Sequence, residues 1–146
     1  MLSFAECKEK HLRRVEPDED KIASLQKVSR ARIKATKQIA KDAETASIIA
    51  QGYYKAMKEL LTALLLKGGW KSDNHECLIL YFARRYPEYG YESSVMCELK
   101  NIRNRITYDG VFVRPSYLET HQFEFESILK ILETLIAAGS HAAPGH

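Results

Sequence analysis

Hydrophobic residues recur at every third or fourth position along most of this chain, and this is the spacing that one face of an α-helix requires. The clearest stripe lies in the segment 92–108 and consists of Val95, Leu99, Ile102 and Ile106. No segment shows the alternation of apolar and polar residues that is typical of a half-buried strand. Because the connections between helical segments are short, we predict an all-α fold, an antiparallel up-and-down bundle of about five to six helices.

Turn-forming and capping residues set the predicted helix ends. Residues 70–74 are a predicted loop. Asp73 and Glu76, at the end of this loop, have the spacing of a capping box that begins a helix. This helix must end before Pro87. Asp109-Gly110 closes the helix after it, since glycine tolerates the left-handed conformation of many helix ends. We predict helices over about residues 2–15, 18–41, 43–67, 75–86, 92–108 and 114–137.

Two long helices near the start of the chain have a more specific pattern. Gly52 and Ala56 are small residues four positions apart, so a neighbouring helix can approach closely along that seam. The preceding helix is predicted to bury an apolar stripe, which consists of Ile22, Leu25, Val28, Ala31, Ala35 and Ile39.

The length of the chain, 146 residues, is typical of one domain. We assign residues 1–138 to that domain and residues 139–146, which are small and without hydrophobic pattern, to a flexible tail. The longest apolar run, Leu60 to Leu66 with Thr62 inside it, is far too short to span a bilayer. We therefore expect no membrane segment.

The three cysteines, Cys7, Cys77 and Cys97, are widely spaced and form no C-x-x-C pair. Their odd number argues against a disulfide framework and for a reducing environment. The first fourteen residues are rich in charge, which is untypical of a signal peptide. These features predict a cytoplasmic protein with free thiols.

The formal net charge is +3, and its distribution is uneven. The segment 21–41 contains seven lysine or arginine residues and no aspartate or glutamate. Such a block can bind phosphate, or it can be the solvated face of a helix. Both interpretations stay open at this stage.

A motif in the helix 92–108 resembles that of a known family. Arg103-Asn104-x-x-x-Tyr108 is similar to the motif of HEPN domains, in which an arginine and a polar residue precede a histidine. Upstream, Tyr53-Tyr54 and the ending Leu65-Leu66-Lys67-Gly68 resemble the family's Tyr-Tyr helix and its Leu-Leu-Lys-Gly ending. The likeness covers roughly residues 20–137, and it departs from the family at Tyr108, where the nuclease members have histidine.

The resemblance implies a small helical bundle that forms a homodimer, with the two motif clefts facing each other. Many family members are metal-independent ribonucleases or toxins paired with a minimal nucleotidyltransferase, so no metal or cofactor is expected. Arg103 would then grip phosphate and stabilise developing charge, with Asn104 orienting the contact. Lys100 and Tyr54 complete the predicted nucleotide-binding or RNA-binding residues, together with Tyr108.

Arg103 and Tyr108 each have a purely structural alternative. Arg103 can lie at the rim of the core, stacked on a tyrosine and paired with a glutamate. Tyr108 can pack over the end of its own helix, contact a ligand, or be the target of nucleotidylation by a partner enzyme. A phenol with an ordinary pKa of about 10 is a poor general base at neutral pH, so catalysis by Tyr108 is the least favoured role.

His75 precedes an apolar helix, and no further residues with metal-binding spacing accompany it, so we interpret it as a loop or first-turn residue. Four tyrosines surround the third apolar helix and the following turn, mixed with Arg84 and Arg85: Tyr81, Tyr86, Tyr89 and Tyr91. They can stack on unpaired bases or fill a dimer interface, where tyrosine and arginine are enriched. The dimer face is thus open between this helix and the Gly52/Ala56 seam.

Three functions follow from these observations. The first is an RNA-binding or nucleotide-binding module that acts with a partner such as a nucleotidyltransferase, as in toxin–antitoxin pairs. The second is a metal-independent endoribonuclease using Arg103, with Tyr108 or an unidentified residue in place of the usual histidine. The third is a helical protein-interaction domain without a nucleic acid ligand.

Overall fold

The computed structural model of the protein describes residues 2–138. Within them, six α-helices make up most of the chain, which confirms the prediction of an all-α bundle with five to six helices. The helices are α1 (Phe4–Lys10), α2 (Glu19–Lys37), α3 (Ala46–Lys67), α4 (His75–Arg85), α5 (Gly90–Asp109) and α6 (Pro115–Ala138). The remaining elements are two strands, β1 (Leu12–Arg14) and β2 (Trp70–Ser72), and one 3-10 turn (Pro87–Tyr89).

Helix α3 lies at the centre of the bundle and contacts α2, α4, α5 and α6. Its side chains are buried on nearly every side, as expected for a helix whose whole circumference is apolar. Tyr53, for example, is fully buried and packs on Phe125 of α6, with ring centroids 5.5 Å apart. The residues of α3 that lie beside α4 and α5 are therefore held in fixed positions.

The predicted close approach at Gly52 and Ala56 is confirmed, and the neighbour is α2 of the same chain. A Cβ atom on Gly52 would lie only 2.3 Å from the Thr36 hydroxyl oxygen. Nearby, the Ser29 hydroxyl donates a hydrogen bond of 3.1 Å to the Ala56 carbonyl. Because α2 fills this seam, the seam is not open to a second copy of the chain.

The predicted stripe of α2 is wrong in its middle part. Val28 is 43% exposed, and Ala31 and Ala35 are also exposed. The buried face instead runs through Ser29 and Thr36, since small hydroxyl side chains fit against the glycine seam and can bond to its backbone. The helix also ends earlier than predicted, at Lys37.

Two short segments of the chain have a different secondary structure from the predicted one. Residues 12–14, expected in a helix, and residues 70–72, expected in a loop, form a small antiparallel sheet. Leu12 pairs with Ser72 and Arg14 with Trp70, and the Val15 amide donates to the Gly69 carbonyl. Three-residue strands are too short to show a period in the sequence, which is why no strand was expected.

The expectation of free thiols is wrong for two of the three cysteines. Cys7 of α1 and Cys77 of α4 form a disulfide, with Cα atoms 5.5 Å apart and 70 positions between them in the sequence. Both are fully buried where α1 packs on α4. Sequence spacing carries no information on such a pair, because its closeness depends on helix packing. Cys97 is free, and burial raises the pKa of its thiol.

The ends of α4 and α5 follow local rules, with one correction. Gly110 has the predicted left-handed conformation, with φ of 67°, and closes α5. Helix α4, however, is capped by Asn74, whose side-chain oxygen accepts from the Cys77 amide at 3.1 Å, and not by Asp73. Glu76 is thereby released from the predicted capping box for contacts elsewhere.

The predicted flexible tail at 139–146 lies outside the described residues. No helix among residues 2–138 has both the length and the apolar composition that crossing a membrane would require.

Candidate functional site

Helices α3, α4 and α5 bring five polar side chains together. Tyr54 and Lys58 are one turn apart on α3, Lys100 and Arg103 are one turn apart on α5, and His75 is the first residue of α4. Residues three or four apart share one face of a helix, so each helix presents its side chains to the same region. We call these five residues the Arg103 cluster.

The Arg103 guanidinium is half-buried and lies against the ring of Tyr54, with its central carbon 5.6 Å from the ring centroid. Its Nη1 donates a hydrogen bond of 2.9 Å to the side-chain oxygen of Asn104. The ion pairs among residues 2–138 do not include Arg103. Of the structural alternative for Arg103, the stacking on tyrosine is present and the glutamate partner is not.

Tyr54 is the platform on which the cluster is built. It is only 3% exposed, and burial raises its pKa to about 12 although the Arg103 charge acts in the opposite direction. Its hydroxyl lies 3.4 Å from Nδ1 of His75, at the outer limit of a hydrogen bond. Tyr54 is thus neutral and positions Arg103 and His75, whereas its burial leaves little ring surface for a ligand.

Lys58 and His75 both experience the positive charge of the cluster. Burial lowers the pKa of the Lys58 ammonium, and Arg103 lowers it further. Burial also lowers the pKa of His75, followed by the charges of Lys58, Arg103 and Lys100. The charged forms of Lys58 and His75 are therefore disfavoured, and His75 is a neutral imidazole at pH 7.

Lys100 is neutralised inside the chain. Its ammonium lies 3.2 Å from Oε1 of Glu76, and both side chains are largely buried. The Leu2 amide donates to the other oxygen of Glu76 at 2.7 Å. Burial alone would raise the pKa of Glu76, but these two donors hold it below its usual value. Lys100 thus contributes to the positive potential but already has a carboxylate partner.

Tyr108 is not brought into the cluster. Helix α5 continues without fraying to Asp109, and five residues correspond to a rotation of about 140° around a helix. Tyr108 is 74% exposed, on a different side of α5 from Arg103. A cleft lined by both Arg103 and Tyr108 would require a frayed helix end, and α5 is instead closed regularly by Gly110.

The basic segment 21–41 is less free than its sequence indicates. Arg32 forms a bidentate pair with Glu59 of α3, with distances of 2.7 and 3.0 Å. Arg30 pairs with Glu133 at 2.8 Å, and Lys37 lies 3.5 Å from Glu126. Glutamates of other helices thus neutralise part of the positive charge of α2. This favours the interpretation of the segment 21–41 as the charged face of a helix over its interpretation as a phosphate-binding surface.

Sequence reasoning identified Arg103, Tyr54 and Lys100, and it missed Lys58 and His75. Lys58 was detectable, because it follows Tyr54 by four residues on the same predicted helix. His75 is a first-turn residue, as predicted, but its closeness to Arg103 depends on the packing of α4 against α5. Among residues 2–138, no three histidine, cysteine or acidic side chains are grouped as metal ligands would be.

No protein-family model, curated protein or solved structure matches this chain.

Proposed function

We propose that the protein is an RNA-binding or nucleotide-binding module in which Arg103 binds a phosphate. The observation that carries the proposal is a half-buried guanidinium that has no carboxylate partner among residues 2–138 and lies near Lys58 and His75. A phosphate placed there would relieve the repulsion within the cluster and accept two parallel hydrogen bonds from Arg103. The Tyr54 ring keeps the guanidinium in place, so little side-chain entropy is lost on binding.

The HEPN resemblance supplies the biological part of the proposal. In that family the motif cleft faces its copy across a dimer, and a homodimer of this chain would add a second positive cluster to the groove. A nucleotidyltransferase-type partner, as in toxin–antitoxin pairs, would then have exposed Tyr108 as an accessible target for modification.

A cytoplasmic location is also part of the proposal, since RNA and nucleotides are available there. The Cys7–Cys77 bond would meet a reducing environment in that compartment. Assays should therefore compare the oxidised and the reduced chain.

A second candidate function, a metal-independent endoribonuclease, is favoured by His75. A neutral imidazole beside Arg103 can accept the proton of a ribose 2′-hydroxyl while the guanidinium stabilises charge on the phosphate. Position 108, where the nuclease members of the HEPN family have histidine, is a tyrosine in this chain. His75 would then be the general base in its place. Tyr108, on another side of α5, is not needed for this chemistry.

The test is binding and cleavage of a mixed-sequence single-stranded RNA in chelator. We expect Arg103→Ala to weaken binding about tenfold, the worth of one charged hydrogen bond. Arg105→Ala is the matched control, because Arg105 is an exposed arginine on the same helix, and its effect should stay within about twofold. Wild-type affinity should fall steeply between about 50 and 200 mM salt.

Cleavage that leaves cyclic phosphate ends and disappears in His75→Ala would establish the nuclease. Binding without cleavage would establish the binding module. RNA affinity that is absent, or equal in Arg103→Ala and wild type, would contradict both and leave a helical protein-interaction domain.

A further inference from the structure

A second region of the molecule has the chemistry of a ligand site, and it shares no residue with the Arg103 cluster. A cavity of about 230 Å³ lies where the N-terminal segment covers β2 and α4. Its apolar walls include the rings of Phe4, Trp70 and Tyr81. This volume is below the usual range for drug-sized ligands, roughly 300–1,000 Å³, so the cavity suits one planar ring with the rest of a ligand outside.

Two of the three rings, Trp70 and Phe4, contact arginine side chains. The guanidinium carbon of Arg14 lies 4.8 Å from the centroid of Trp70, and that of Arg84 lies 5.1 Å from the centroid of Phe4. Such contacts restrict the orientation of an aromatic ring, and both rings also line the cavity. Stacking of a nucleobase on an aromatic side chain is worth about 1–3 kcal/mol.

The charged residues that line the cavity within the described part of the chain are all cations. Lys8, Arg84 and Arg85 contribute to the lining, and no acidic side chain among residues 2–138 does. The ion pairs among residues 2–138 involve none of the three. Lys8 and Arg84 are exposed and also line the cavity, so an anion can reach them from solvent.

We propose that this cavity binds the base of a nucleotide whose 5′-phosphate lies at the mouth of the cavity, between Lys8 and Arg84. The ligand is a nucleoside monophosphate or the 5′-phosphorylated end of an RNA, since both present the same base and phosphate. The site is independent of the proposed function, because Arg103 and the other residues of its cluster do not line the cavity.

The disulfide completes the site. Phe4 and Lys8 lie on α1, three positions before and one after Cys7, and Arg84 lies on α4. The Cys7–Cys77 bond joins the same two helices, so it holds the two walls of the cavity against each other. Reduction is therefore expected to weaken binding several-fold, through the loss of a preorganised wall.

The experiment uses Trp70, which is the one tryptophan of the chain and lines the cavity, as its own fluorescent probe. The full oxidised chain is titrated with adenosine 5′-monophosphate, adenosine, and a 5′-phosphorylated trinucleotide. We expect saturable quenching by a phosphorylated ligand and at least about tenfold weaker binding of adenosine. Lys8→Gln and Arg84→Gln should each weaken binding about five- to tenfold.

A matched control separates this site from the general positive charge of the surface. Arg13→Gln removes an exposed cation of β1 that does not line the cavity, and it should bind like wild type. Saturation by the trinucleotide alone supports the proposal with an RNA end as ligand. No saturable quenching by either phosphorylated ligand in protein with a native helical spectrum, equal affinity for adenosine, or a loss in Arg103→Ala but not in Arg84→Gln, would each overturn it.

Discussion

Arg103 and Tyr54 form a stacked pair across two helices, with the guanidinium carbon of the α5 residue 5.6 Å from the ring centroid of the α3 residue. The tyrosine is buried, whereas the arginine is half-buried. An arginine held in this way is preorganised, which is the property that distinguishes a binding residue from a mobile surface cation. The proposed phosphate site therefore depends on Tyr54 as much as on Arg103.

Replacing the ring should weaken the proposed phosphate binding without removing any ligand contact. We expect Tyr54→Leu to reduce RNA affinity about fivefold, the worth of one partly desolvated cation–π contact. Tyr54→Phe keeps the ring and should bind nearly as wild type does. Affinities from fluorescence anisotropy test this, and equal affinities for the leucine and phenylalanine variants would show that the ring does not position Arg103.

The protonation of His75 should be linked to both folding and binding. Burial and then the neighbouring cations keep its pKa in the folded chain below the ordinary value of 6.5, so near that pH the unfolded chain binds more protons. This contribution to stability is present above pH 6.5 and is lost as the pH falls towards the folded-state pKa. The unfolding free energy should thus decrease on acidification, and less so in His75→Gln.

A bound phosphate reverses the environment of His75, because it offsets the cations that disfavour a charged imidazole. We expect the pKa of His75, followed by its ring proton signals in NMR, to rise when RNA is added. The signals of the other histidines serve as the internal reference. An unchanged His75 titration in the presence of saturating RNA would place the phosphate away from this cluster.

The disulfide should contribute strongly to stability. Cross-linking residues 70 positions apart lowers the entropy of the unfolded chain by an amount worth about 4 kcal/mol. We expect the double variant Cys7→Ala, Cys77→Ala to lose a comparable free energy of unfolding in denaturant titrations. Cys97→Ala is the control, since Cys97 is not bonded, and a double variant as stable as this control would contradict the estimate.

The seam between α2 and α3 should reject a single methyl group. An added Cβ on Gly52 would lie 2.3 Å from the Thr36 hydroxyl oxygen, and α2 cannot move without disturbing its other contacts. We expect Gly52→Ala to destabilise the fold by about 1–3 kcal/mol despite the better helix propensity of alanine.

Two further variants test the cause of that effect. Gly90→Ala, where an added Cβ meets nothing within 4 Å, should be neutral or stabilising by up to about 1 kcal/mol. In a Thr36→Ala background, Gly52→Ala should recover most of its lost stability. Equal losses in both backgrounds would show that Thr36 is not the obstacle.

The candidate site was only half predictable from sequence. Arg103 and Lys100 share one face of α5 because of helical periodicity, and that much requires only their spacing. Tyr108 lies away from Arg103 because α5 stays regular up to Gly110. Five residues of a regular helix correspond to a rotation of about 140°. His75 belongs to the cluster through the docking of α4, and periodicity along one segment carries no information on that docking.

The sequence by itself determined the features that depend on neighbouring residues: helices with apolar faces, the stop at Gly110, the end of α4 before Pro87, and a seam of small residues at Gly52. These follow from backbone preferences and steric limits over a few positions. Tertiary structure alone decided the Cys7–Cys77 bond, the pairing of β1 with β2, and the convergence of Tyr54, His75 and Arg103. Each of these joins residues that are distant in sequence, and their proximity results from how the helices pack around α3.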